Sequence, residues 1–227
     1  MKKSILAMLA TVCMLTGLGL ASSCSEQTDV WNPYYDWQKR NAQWYETIAD
    51  SARNAITQAK RQYGDDWEAH CDWRMFKTYM KSESVVGPLT DSVCVHILKR
   101  GTGTVSPAYT DSVKLTFRGW IMPTEYVSPD GSLVTSQTVF SQTYYGDFNP
   151  DTATPQQMAV SSTVEGFATA LQYMVAGDDW LVYIPENMAY GENGSSAIPS
   201  YSTLQFQLNV TDVIERRSTQ TTTTTLE

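Results

Sequence analysis

Two periodicities divide the chain. Between residues 32 and 63, Trp37, Trp44, Ile48, Ala52, Ala55, Ala59 and Tyr63 recur at steps of three, four or seven. That spacing gathers one apolar stripe on a helix. Gly64 and Asp65 predict its end, and Asp66 suits the cap of a short second helix through Tyr79. The segment "DWRMFKTYM" suits an extended strand as well. Beyond "SVVGPLTD" the period falls to two: "SVCVHILKRG" and "DSVKLTFRGWI" alternate apolar and polar residues as half-buried strands do. "YVSPDGSL" predicts a turn on Pro129-Asp130-Gly131. "TVEGFATALQYMVAG" predicts a short helix with Phe167, Leu171 and Met174 on one face and Gly177 as its C-terminal cap. "WLVYIP" and "TLQFQLNVTDVIE" predict the closing strands. The expected class is α+β: an antiparallel sheet of five or six strands wrapped around one short helix, preceded by an N-terminal helical extension.

The ends of the chain break both patterns. Lys2 and Lys3 precede an apolar run, "ILAMLATVCMLTGLGL", and then the small residues "ASSC" ending at Cys24. This reads as a secretion signal. The small residues before a cysteine resemble the lipobox of bacterial lipoproteins, which implies a cut before Cys24 and a lipid on its thiol. Two other readings stay open: an uncleaved anchor, since residues 4–23 are long enough to span a bilayer, and an ordinary signal peptide with a coincidental cysteine. The expected plan is a lipoprotein signal at 1–23, a tether and helical extension at 24–84, the main domain at 85–216, and a disordered Thr-rich tail at 217–227.

Composition removes several kinds of chemistry. A net charge of −8 disfavours an electrostatic nucleic-acid surface. His70 and His96 are the only histidines, too few for an ordinary zinc site or a histidine-based triad. His96 sits in an alternating strand and reads as a surface residue. Cys71 and Cys94 are the only cysteines after Cys24 and could pair in an exported protein, but no disulfide framework or metal spacing is visible. The "GTG" at residues 101–103 lacks the lysine and helix start of a phosphate loop. The tryptophan-rich stripe is expected to pack on the protein's own core, with a partner face, including dimerisation through the helix, as the alternative.

The order of the remaining pieces carries a resemblance. "LKRGTGTVSP", "VKLTFRG", "VFSQT", "VEGFATALQYMVAGDDWLVYIPENMAYG" and "AIPSYSTLQFQLNV" resemble, in sequence, the FKBP-type peptidyl-prolyl cis-trans isomerases over about residues 91–215. A helical extension on an exported chain is similar to bacterial surface and periplasmic members. The resemblance implies isomerisation of X-Pro bonds in extracytoplasmic polypeptides, with no cofactor and no metal. It also implies attachment to a bacterial membrane, most simply the outer one, through Cys24. By position it makes Tyr190 the donor at a pocket mouth and Val164 the backbone N–H that meets a substrate carbonyl. Phe140 and Ile198 become walls, Phe206 the deep side, and Phe167 the floor, where tryptophan is common in the family. Met158 stands where another wall phenylalanine is common.

Two departures accompany the match. Phe117 replaces the family's usual tyrosine and Ser141 its usual aspartate, two side chains that hydrogen-bond each other in relatives. Losing both leaves neither unpaired, and implies a drier pocket. Two expectations follow: an isomerase, its activity reduced by these replacements, or a weakly active or inactive binding and chaperone module on the same fold.

Overall fold

The structure is a computed structural model that describes residues 32–216 except 83, 85 and 129. The signal segment, the tether and the tail lie outside the described residues, as does Pro129 of the expected turn. From Pro33 the described chain forms one compact unit.

Helix α1 runs Trp37–Tyr63. It ends where Gly64 takes φ 57, a conformation that favours glycine, and returns its N–H to the Lys60 carbonyl. Its buried face is Trp37, Asn41, Tyr45, Ala49, Ala52 and Ala59. This is the expected stripe turned slightly, with two polar-tipped residues, Asn41 and Tyr45, that apolar spacing does not select. The segment after it is a 3₁₀ run, Gly64–His70, followed by strand β1, Trp73–Lys77. The expected second helix through Tyr79 is therefore absent, and the extended alternative holds from Trp73. Five residues pair with β2 (Ser92–Lys99), from Trp73 opposite His96 to Lys77 opposite Ser92. Ladder bonds and the Trp73–His96 ring stack, with centroids 4.7 Å apart, override local helical preference. His96 is half-buried under that stack rather than free on the surface.

The other strands are β3 (Ser112–Ile121), β4 (Thr124–Val127), β5 (Leu133–Ser136), β6 (Val139–Gln142), β7 (Gln156–Ala159), β8 (Asp179–Ile184) and β9 (Leu204–Ile214). One sheet has the order β1-β2-β8-β9-β3-β6, with β7 also paired to β3, making seven strands where five or six were expected. The added edge is β1, so residues assigned to the helical extension supply a strand to the sheet. β6 and β7 share one edge of β3, at residues 118–120 and 112–115 respectively. β4 and β5 form a separate hairpin beyond the end of β3. It closes through the Ser128 N–H to the Ser132 carbonyl at 2.8 Å, with Gly131 at φ 84.

Alternation sends Val93, Val95, Val182, Ile184, Leu208 and Phe206 to one face, each at most 5% exposed. Helix α2, Glu165–Leu171, lies against that face and is buried from Gly166 onward. It ends at Gln172, and Gly177 is not its cap. Gly177 instead takes φ 95 in a later turn and donates its N–H to the Val210 carbonyl at 2.7 Å. The opposite face is covered by α1 where Tyr45, Ile48 and Ala49 pack on Met75, Cys94 and Tyr183. Ala49 and Ala52 are fully buried, and their small size lets the helix lie close to the strands. Cys71 and Cys94 are both free thiols, and both are buried. Burial pushes the Cys94 thiol up to about 11.

Candidate functional site

The inner face of the sheet, the start of α2 and the loop between β8 and β9 enclose a cavity of about 360 Å³. Its chemistry follows from how each element reaches it. On β3, Phe117 points inward with the rest of the alternating core. On β6 the alternation breaks: Ser141 is opposite Gly119 and Val139 opposite Trp120, so Phe140 is an extra, bulged residue. A bulge re-aims side chains, and here the consecutive residues Phe140 and Ser141 both line the cavity. Met158 enters from β7, Phe167 from the first turn of α2, and Phe206 from β9.

Phe206 is the hub of the aromatic wall. Its ring meets Phe167 at 5.0 Å and Phe140 at 5.3 Å between centroids, each nearly perpendicular, and Phe117 at 6.3 Å. Edge-to-face packing suits the ring quadrupole. Gly119 makes this approach feasible: a Cβ there would sit 2.6 Å from the Phe206 ring and 2.8 Å from Phe140.

The loop at residues 185–203 forms the rim. Gly191 and Gly194 take positive φ, and the N–H of Gly191 meets the Glu186 carbonyl while that of Gly194 meets the Tyr190 carbonyl. Ser195 and Ile198 exchange backbone bonds of 2.7 and 3.3 Å. These turns press Ile198 inward until it is 3% exposed, while Tyr190 stays 39% exposed at the mouth. An apolar residue in a glycine-rich loop is buried because the loop folds back on the cavity.

All nine residues singled out from the sequence line this one cavity: the four phenylalanines, Ser141, Met158, Val164, Tyr190 and Ile198. Ser162, Thr163, Ser195 and Ala197 also line it and were not singled out. Their only signal is adjacency to Val164 and Ile198. The hydroxyls of Ser162 and Thr163 are spent on the carbonyls of Ala159 and Val160. Among the described residues, the Val164 N–H and the Tyr190 and Ser141 hydroxyls have no hydrogen-bond partner, so three polar groups are open to a ligand in an otherwise apolar space. The lining contains no carboxylate, lysine, arginine, histidine or cysteine. Carboxylate acid–base chemistry has no residue to carry it here, and the lining hydroxyls have no histidine, lysine or carboxylate in the lining to activate them as nucleophiles.

A profile described as FKBP-type peptidyl-prolyl cis-trans isomerase matches residues 103–211. Over those residues the chain is similar to the FKBP family. The FKBP-type 22 kDa peptidyl-prolyl cis-trans isomerase of Escherichia coli is 28% identical over 52% of this chain and 48% of its own length. The probable FKBP-type 25 kDa peptidyl-prolyl cis-trans isomerase of Pseudomonas aeruginosa is 30% identical over 57% of this chain and 48% of its own. The outer membrane protein MIP of Legionella longbeachae is 28% identical over 61% and 51%. The match spans about half the length of these relatives. A crystal structure of a peptidyl-prolyl cis-trans isomerase from Pseudomonas syringae aligns over 74% of this chain and 95% of that one, at 21% identity and a TM-score of 0.42. That superposition is too loose to add to the sequence match. No helix among the described residues is long and apolar enough to cross a membrane.

Proposed function

We propose that the FKBP-type domain of this chain isomerises X-Pro peptide bonds of polypeptides in the bacterial envelope. The observation that carries the reading is the aromatic cavity itself, with three open polar groups at its edge and nothing ionisable but Tyr190 in its lining. Prolyl rotation is slow because the amide is conjugated, with a barrier of about 18–20 kcal/mol. Twisting the bond breaks the conjugation and makes the group less dipolar. A dry apolar wall therefore favours the twisted state over the planar one. The phenylalanines and Ile198 supply that wall. The Val164 N–H and the Tyr190 hydroxyl are available to donate to substrate carbonyls and so to hold the flanking chain. Lowering the barrier by about 5 kcal/mol gives several thousand-fold acceleration.

Envelope attachment rests on the signal-like N-terminus and Cys24, and a relative is named an outer membrane protein. Lipid on Cys24 is tested by membrane partition of Cys24→Ala. Isomerisation is tested on a proline-limited refolding substrate, where Tyr190→Ala should lower kcat/KM by about tenfold. Equal background rates for both proteins would sink the enzyme reading. The second reading, a binding module with little catalysis, is favoured by one observation: Phe117 and Ser141 leave the cavity without a carboxylate to grip substrate.

A further inference from the structure

The rim loop carries two of the residues that define the cavity mouth, and its backbone is strained at one residue. Tyr201 has φ 60, a region that bulky L-residues seldom occupy. Such a conformation persists only where its surroundings over-determine it. One constraint is local: the Tyr201 N–H donates to the Gly191 carbonyl at 2.8 Å, next to Tyr190. The others come from far away in the sequence. On the residues immediately after Tyr201, the Trp37 Nε1–H donates to the Ser202 hydroxyl at 2.9 Å, and the Thr203 N–H donates to Asn41 Oδ1 at 2.8 Å. The Ser202 hydroxyl passes the connection on to the Pro199 carbonyl at 2.6 Å, one residue from Ile198. Asn41 is itself held, donating Nδ2–H to the Trp37 carbonyl at 2.8 Å.

We propose that the first turns of α1 latch the rim loop, with Trp37 and Asn41 as positioning residues that hold Ile198 and Tyr190 through Ser202 and Thr203. Both side chains are buried, Asn41 at 1% exposure and Trp37 at 7%, so their polar atoms have no water to fall back on. A helix docked only for stability needs apolar contacts with the sheet, which Tyr45, Ile48 and Ala49 already make. At its start the Trp37 ring also joins the core, but its indole N–H and the Asn41 amide are aimed at the loop. The helical extension is thus part of the pocket's architecture, at one remove. The role in turnover rests on reading the cavity as the substrate pocket; the latch itself does not.

The test uses the full chain with Trp37→Phe, which keeps an aromatic ring and removes the donor, and Ser202→Ala, which removes the relay. Tyr45→Phe, which deletes the α1 contact to the Ser92 carbonyl in β2, serves as the comparison. Amide hydrogen exchange by NMR is read at Ser195 and Tyr201 in the rim, and at Val182 and Leu208 in the sheet. Trp37→Phe and Ser202→Ala should each speed rim exchange about tenfold with sheet exchange unchanged, and the double variant should add little to either single one. Tyr45→Phe should not single out the rim. On an X-Pro peptide both latch variants should raise KM about fivefold and alter kcat by less than about twofold. Rim protection equal to wild type in both, or an equal loss across rim and sheet, overturns the latch. Absence of isomerase activity in wild type overturns the function reading instead and leaves the exchange result to decide the latch.

Discussion

At the level of single residues, the cavity is defined as much by what two positions lack as by what the others supply. Ser141 faces Gly119 across β3 and β6, and Phe117 is two residues along on the same strand face, so the two are diagonal neighbours within reach of long side chains. Phe117→Tyr and Ser141→Asp made together should therefore pair and raise kcat/KM at least about tenfold over wild type. Either one alone buries a polar group without its partner and should cost about 1–3 kcal/mol of stability. A denaturation and activity cycle over the four proteins checks this; simple additivity would show that the two positions do not communicate. These site residues were legible in the sequence because a resemblance in order and spacing placed them, not because periodicity did. Alternation alone puts Phe140 and Ser141 on opposite faces. The bulge that brings them together depends on a register between strands far apart in the chain, and no local pattern encodes it. Asn41 and Tyr45 were missed for a related reason. Asn41 is polar and is buried by partners in the rim loop, which a stripe of apolar and aromatic residues does not count. Tyr45 lies one residue past Trp44, where the spacing puts the stripe, and is buried by its contact with β2.

Among the elements, the long periodic ones were readable and the ambiguous ones were decided by pairing. α1 and strands β2, β3, β8 and β9 lie where their patterns predict. β1 does not, because "DWRMFKTYM" has no period strong enough to choose between helix and strand until β2 offers it an edge. Helix α2 illustrates a tighter constraint. Gly166 faces Ile184 so closely that a Cβ would lie 2.2 Å from Cγ2. Gly166→Ala should lift α2 off β8, cost about 1–3 kcal/mol in chemical denaturation, and weaken apolar-peptide binding, since Val164 and Phe167 sit at this end of the helix. Adding Ile184→Ala should cost less than the two separate changes summed. The β4–β5 hairpin offers a pH test. Hydrogen bonds from the Ser128 hydroxyl, then from the Ser132 hydroxyl and N–H, pull the exposed Asp130 carboxyl down to about 2. The folded value is below the unfolded one, near 4. The turn is therefore supported above about pH 4 and loses that support as pH falls toward 2. The Ser132 amide shift followed by NMR should titrate with a midpoint near 2 in wild type and not in Asp130→Asn.

For the molecule as a whole, charge and binding are separated in space. The chain carries a net charge of −8, while the cavity lining holds no Asp, Glu, Lys, Arg or His and is largely apolar. Affinity for a neutral proline-containing peptide should then come from buried apolar area, which salt does not screen, and from hydrogen bonds at the rim. Between about 50 and 500 mM salt the Debye length shrinks from roughly 14 to 4 Å. Affinity for a neutral peptide should change less than about twofold over that range. Charged polypeptides differ before they arrive, because the field of the whole protein acts on encounter. An acidic substrate should gain kcat/KM as salt rises and a basic one should lose it, with the cavity contacts the same in both. Stopped-flow isomerisation of three peptides sharing one X-Pro core but bearing acidic, neutral or basic flanks measures this directly. A strong salt dependence for the neutral peptide would place charged groups in the binding step and count against an apolar pocket as the source of affinity. Equal salt responses for all three would remove the long-range field from substrate choice and leave selection to the residues around the mouth.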